Sequence, residues 1–307
     1  MIHLHLDTDI GSEMTDAAAL TLAAIYQDIK LVGVSTVTDD TQFRAQAALK
    51  LLSLLGKDKT PVSPGIGVPT NNFSWEGAVF GLENYRRFPV DNQSAAHLII
   101  ELANKYNGQL VLAGIGTLSN VAEALRLDKT LPQKVKRLVV MGGMINPPIV
   151  DSVQVPRGFE HNFCNDSAAA SLVLNAGFNL TIVPGDLTFR ADDPWTDSEI
   201  EELESINHPA VKLLAALNKE SMKSMRSGLQ SAGLPTAFAR PWANDEILMA
   251  YIMQPGLFKT NTKNYRLELP DKYPRFVEDP SGFETTIVTD ATLKEVRRYI
   301  LDRLKEI

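Results

Sequence analysis

Over roughly the first 185 residues, apolar runs of strand length alternate with amphipathic stretches of helix length, and Gly, Asp or Asn stand at the joints. Alternation of this kind is the pattern of βαβ units wound around a parallel sheet. It predicts strands over residues 2–6, 30–37, 109–113, 137–141 and 179–183, and helices over 16–26, 42–55, 93–106, 117–127 and 166–176. Beyond residue 185 the pattern changes. Polar helical stretches run through 199–225, and an apolar helix covers 244–253. Three short β-like segments follow at 265–269, 275–278 and 284–288, then a closing helix at 293–305. Segments 56–88 and 143–165 show neither period, which makes them candidate active-site loops. With no repeat, low-complexity tract or flexible linker, the expectation is one α/β domain over 1–307: a Rossmann-like, mostly parallel sheet flanked by helices.

Composition narrows the chemistry. A chain of 307 residues with 44% hydrophobic and 22% charged residues has ample core for such a domain. Its formal charge of -7 and lack of a basic run argue against nucleic-acid binding. The single cysteine, Cys164, cannot form an internal disulfide. The N-terminus carries no basic and apolar leader pattern, and no window approaches 18 consecutive apolar residues. The expectation is a cytoplasmic protein without a membrane partner, acting on small molecules and metal cations.

In open parallel sheets ligands bind beyond the carboxyl ends of the strands. There the sequence Leu6-Asp7-Thr8-Asp9-Ile10-Gly11 places two carboxylates, and Asp16 opens the next helix. An extended chain would put Asp7 and Asp9 on the same side. Crowded carboxylates raise one another's pKa unless a cation lies among them, so the trio suggests a hard divalent metal. The bland alternative is that Asp7 and Asp9 end a strand and Asp16 caps a helix.

The motif Asp7-Thr8-Asp9-Ile10-Gly11, a short turn, and Asp16-Ala17-Ala18-Ala19-Leu20 resembles the N-terminal signature of the inosine-uridine nucleoside hydrolases. Further segments match in order: Val34-Ser35-Thr36-Val37, Gly114 to Ala122, Val140-Met141-Gly142-Gly143, Phe159 to Asn162 followed by Asp166, and Asn244-Asp245. The resemblance implies the fold of that family and a Ca²⁺ ion held by Asp9, Asp16, Asp245 and the Ser119 carbonyl, with Asp7 close by. It implies a nucleoside or N-riboside substrate, attacked at its anomeric carbon by a water on the metal whose proton passes to Asp9. Glu160 and Asn162 match the family's anchors for the sugar. It also implies a homodimer or homotetramer.

Four positions depart from the family pattern. Thr15 stands where an acid normally accepts a bond from a ribose hydroxyl. Gln154 lies near the place of a sugar-holding Asn, and Glu76 near that of a loop His. Asn244 replaces a His beside the leaving base, and an amide is no proton donor of suitable pKa. His161 lies between two anchors, where strand-like alternation would turn it away from the sugar. Trp75, Phe80 and Trp242 could stack on a base or simply be core. Asp40 could bond a base or cap a helix. Two other activities share some of these features. One is a metal-dependent nucleoside-binding protein in which Thr15 and Asn244 have ended turnover. The other is a haloacid-dehalogenase-type phosphatase, which the Asp7-Thr8-Asp9 motif resembles but Gly11 fits poorly.

Overall fold

In a computed structural model, which describes residues 1–70, 90, 93–231, 233, 235–270 and 273–307, the strand-length runs assemble into a nine-stranded sheet. The strands are β1 (Ile2–Thr8), β2 (Ile29–Thr36), β3 (Val62–Pro64), β4 (Leu110–Gly114) and β5 (Val135–Met141). After a small hairpin of β6 (Ile149–Val150) and β7 (Val153–Gln154) come β8 (Leu180–Val183), β9 (Phe258–Glu268), β10 (Arg275–Glu278) and β11 (Phe283–Ala291). Their order is β10-β9-β11-β8-β5-β4-β1-β2-β3. Every pairing from β3 to β11 is parallel, whereas β9 runs antiparallel to both β11 and β10.

Strand alternation divides the apolar side chains between two cores. Leu4, Leu6, Val111, Ala113, Val139 and Met141 face α1 (Met14–Ile25), α2 (Thr41–Leu54) and the helices Pro209–Ser231, Asp245–Met253 and Leu293–Leu304. Leu110, Leu112, Leu138, Val140, Leu180 and Ile182 face the helices Ala95–Lys105, Ser119–Leu127 and Ser167–Leu174. The result is a single three-layer domain. In α1 every residue from Met14 to Ala24 is buried. Its run of alanines keeps the helix slim enough to lie between the sheet and the helix Asp245–Met253.

Several elements differ from the sequence expectation. β3 has three residues ending in proline and the β6–β7 hairpin has two residues per strand, too short to show a period. β9 begins at Phe258 rather than 265 because most of its residues through Asn264 are polar and exposed, so burial leaves no alternation. The polar helical stretch is two helices. Asp197–Ser205 starts with a Thr196–Glu199 capping box, and Pro209 opens the next, a position where its missing N–H costs nothing.

Strand order reverses between β1 and β4, and there Asn120 joins the sheet together. Its Nδ2 donates to Asp7 Oδ1 at 2.8 Å and to the Thr36 carbonyl at 3.0 Å, while its Oδ1 accepts from Ile66 N at 2.8 Å. One buried amide thus links β1, β2 and the chain leaving β3. Replacing it should leave buried partners unpaired, so Asn120→Ala is expected to destabilise the protein by about 3 to 5 kcal/mol. Denaturant unfolding with an unchanged slope would measure it.

Candidate active site

Beyond the carboxyl ends of the strands around this reversal lies a cavity of about 1160 Å³. One part of its lining is acidic: Asp9 from the turn after β1, Glu13, Thr15 and Asp16 from the start of α1, and Asp245 from the start of a helix late in the chain. Thr8 Oγ1 donates to Asp16 Oδ1 at 2.5 Å, and Thr15 Oγ1 donates to Asp245 Oδ2 at 2.7 Å. Asp9 and Asp16 are within hydrogen-bonding reach of each other, so a proton or a cation must sit between them. Burial, and then the neighbouring carboxylates, push Asp16 and Asp245 well above the ordinary Asp range. Burial likewise raises Asp9, opposed by the Arg44 guanidinium.

Arg44 gives no sign of its role in the sequence. Its side chain is fully buried, with Nε donating to the Thr38 carbonyl at 2.8 Å and Nη1 to the Ile10 carbonyl at 3.2 Å. It thereby ties the loops after β1 and β2 while bringing positive charge toward Asp9 and Asp16. Thr38 and Asp39 there adopt positive φ angles of 73° and 50°. This uncommon backbone is held by bonds from Thr38 N to the Ile66 carbonyl and from Asp39 N to the Val68 carbonyl, both 2.9 Å.

The opposite wall comes from the chain after β5. A 3₁₀ turn at Arg157–Phe159 leads through Glu160 into the short helix His161–Cys164. Glu160 caps that helix, accepting from Phe163 N at 3.1 and 3.2 Å, and burial pushes its carboxyl up to about 7. Asn162 Nδ2 donates to the carbonyls of Ile115 at 3.0 Å and Met141 at 3.1 Å. Its amide oxygen is therefore the atom left for a ligand. Because the segment is helical rather than extended, His161 does not alternate away; it lines the cavity with Glu160 and Asn162. Burial lowers its pKa to about 4, so it is neutral at physiological pH. Phe159, Phe189 and Trp242 form an aromatic wall, with ring centroids 5.3 Å apart for Phe159–Phe189 and 5.7 Å for Phe189–Trp242.

The remaining expected site residues are dispersed. β1 ends at Thr8, so alternation stops before Asp9. Asp7 is fully buried and is not among the described lining residues; it is bonded by Ser35 and Asn120, its Oδ2 has no partner among the described residues, and its carboxyl is raised to about 7 by burial. Ser119 begins a helix, and its hydroxyl donates to Asp166 Oδ2 at 2.6 Å. Asn244 lines the cavity, and its Oδ1 is buried with no partner among the described residues. Asp40 is exposed and caps α2, accepting from Phe43 N at 3.0 Å. Gln154 is exposed on the β6–β7 hairpin, its amide 3.4 Å from the Pro147 carbonyl. Neither is among the described lining residues. Glu76, Trp75 and Phe80 lie outside the described residues.

Among the described residues, no group of three or more His, Cys, Asp or Glu side chains is arranged so that it could hold a metal ion as it stands. The donor set nevertheless fits a hard cation. Asp9, Asp16 and Asp245 offer only oxygen, and the two threonine bonds engage one oxygen each of Asp16 and Asp245.

Known proteins resemble this chain along most of its length. The family described as inosine-uridine preferring nucleoside hydrolase is matched over residues 4–293. Probable uridine nucleosidase 2 of Oryza sativa subsp. japonica is 28% identical over 211 residues, which cover 64% of this chain and 60% of that protein. Inosine-uridine preferring nucleoside hydrolase of Crithidia fasciculata is 27% identical over 280 residues, covering 87% of this chain and 84% of its own. The first plant relatives are thus matched over less than two thirds of their length. The fold is shared with a plant nucleoside hydrolase of solved structure, with a TM-score of 0.82 and 19% identity across 100% of this chain and 99% of that one. No described helix is long and apolar enough to cross a membrane.

The raised carboxyls make stability depend on pH. Glu160 ordinarily titrates near 4.5 and does so at about 7 in the fold, so between those values the native protein holds a proton that the unfolded chain has released. Stability must therefore fall as pH rises through that window. With chelator present, denaturant midpoints should decline from pH 5 to pH 7.5, and Glu160→Gln should flatten the decline. Midpoints that rose over this range would contradict the burial argument.

Proposed function

Because the chain belongs to the inosine-uridine preferring nucleoside hydrolase family, we propose that it cleaves the N-glycosidic bond of a ribonucleoside or related N-riboside to free base and ribose. The observation that carries this reading is the convergence of Asp9, Asp16 and Asp245 in one cavity that also has an aromatic wall. The names of the relatives point to uridine and inosine as the substrates to try first.

In this reading Asp9, Asp16, Asp245 and the Ser119 carbonyl hold Ca²⁺, with Asp7 close by. The cation's contribution is to make water acidic enough to be a nucleophile near neutral pH. Asp9 takes the proton as the water oxygen bonds to the anomeric carbon. The C–N bond breaks with its electron pair passing to the base, which takes a proton from solvent water, and Asp9 returns its own proton to solvent. Positive charge develops on the sugar, and Glu160 and the Asn162 amide oxygen hold its hydroxyls. Thr15 commits its proton to Asp245, so toward the sugar it can only accept, as a neutral and weaker partner. The base rests on Phe159, Phe189 and Trp242, within reach of Asn244. The reading includes a symmetric homo-oligomer, most simply a dimer, and a reducing compartment for the free Cys164.

Two tests bear on this. Calorimetry should detect Ca²⁺ binding, and Asp9→Asn should cut ribose release by about 10² to 10⁴ while the fold persists; wild-type turnover in that variant would remove Asp9 as the base. Because Asn244 offers no acidic proton, p-nitrophenyl riboside should be hydrolysed on the order of a hundredfold better than inosine. Equal efficiencies would mean that another group protonates the base.

A further inference from the structure

Glu13 is a carboxylate that the local structure does not use. It occupies the N-cap position of α1, where side chains ordinarily accept from the first free amides, yet it makes no capping bond. No described residue hydrogen-bonds or ion-pairs with its carboxylate, and its charged neighbours, Asp9, Asp16 and Glu246, are all acids. It is half-buried and lines the cavity beside Asp9, Thr15 and Asp16. Burial and the nearby Asp9 both oppose its charge. A carboxylate in this position lowers the stability of the free protein, and such local conflicts concentrate where a ligand resolves them.

A nucleoside has two kinds of donor, sugar hydroxyls and base N–H groups. The cavity is lined by acids and also by Phe159, Phe189 and Trp242, and a planar base belongs against the rings. Glu13 lies close to Asp9, the residue that in the proposed reaction works at the anomeric carbon. We propose that Glu13 accepts a hydrogen bond from a ribose hydroxyl on the 2′,3′ edge, which makes it a specificity-determining residue for ribosides. This rests on the nucleoside hydrolase reading. It supplies a charged acceptor at the N-cap of α1, in the same cavity lining as Thr15, whose own proton is engaged by Asp245.

The test is Glu13→Gln, assayed with p-nitrophenyl riboside and its 2′-, 3′- and 5′-deoxy analogues, together with Ca²⁺ calorimetry and thermal melting. The variant should lose about tenfold in kcat/KM on the riboside and the 5′-deoxy analogue, but less than about twofold on the 2′- or the 3′-deoxy analogue. Ca²⁺ affinity should be unchanged, and the melting temperature should hold or rise because an uncompensated acid is gone. A loss equal across all analogues, or no loss, overturns the inference while leaving hydrolysis intact. Weakened Ca²⁺ binding would make Glu13 a metal ligand instead, and a lowered melting temperature would make it structural. If the unmodified protein releases no p-nitrophenol, the hydrolase reading itself fails first.

Discussion

Carboxylates kept out of water are the constraint around which this molecule is arranged. Asp9, Asp16 and Asp245 meet where ionised groups repel one another most strongly, and each is driven toward its neutral form by burial. Neighbouring features respond to that conflict. Two threonine hydroxyls donate to two of the acids. A buried guanidinium from α2 brings the opposing charge, and the strained turn at Thr38–Asp39 lets that guanidinium reach the Thr38 carbonyl. Gly116 allows the chain after β4 to close over Asp9: a Cβ there would lie 3.1 Å from both Asp9 N and Asp9 Oδ1 and 2.6 Å from Val37 Cγ1.

The same cavity must also hold an apolar, planar partner, and the fold separates the two demands by element. Acids come from the turn after β1, from α1 and from a late helix, elements anchored in the larger core. Rings come from the irregular chain after β5 and from Phe189 and Trp242, which belong to a small separate cluster with Met144, Val150, Val155 and Phe238. Glu160 to Asn162 joins the two. Arg157 fixes that joint by donating to the carbonyls of Met144 and Ile145, the latter at 2.9 Å.

The parallel sheet was legible in the sequence because both faces of its strands are buried, so apolar runs and amphipathic helices declare themselves. β9 was only partly legible since exposure, not burial, dictates its residues. In the site, residues that act through their own type in a motif, such as Asp9, Asp16 and Asp245, could be read directly. Residues that act through position could not. Arg44 lies in an ordinary helix, and Glu13 looks like any acid before a helix. Strand alternation would turn His161 away from the sugar, but the segment is helical and His161 lines the cavity. Alternation would place Asp7 and Asp9 on one side, but β1 ends at Thr8, one residue before Asp9. Local backbone state decided each of these, and a periodicity window does not resolve it over three or four residues.

The bond from Thr15 to Asp245 joins positions 230 residues apart. During synthesis at roughly 5 to 20 residues per second, the first acids emerge on the order of ten to fifty seconds before their partner. The third carboxylate can join Asp9 and Asp16 only when the late helix packs against α1, so the full trio cannot exist before that contact is made. A nascent chain that stalls earlier carries the acidic motif without its third carboxylate, which keeps the centre incomplete until the body of the domain is present.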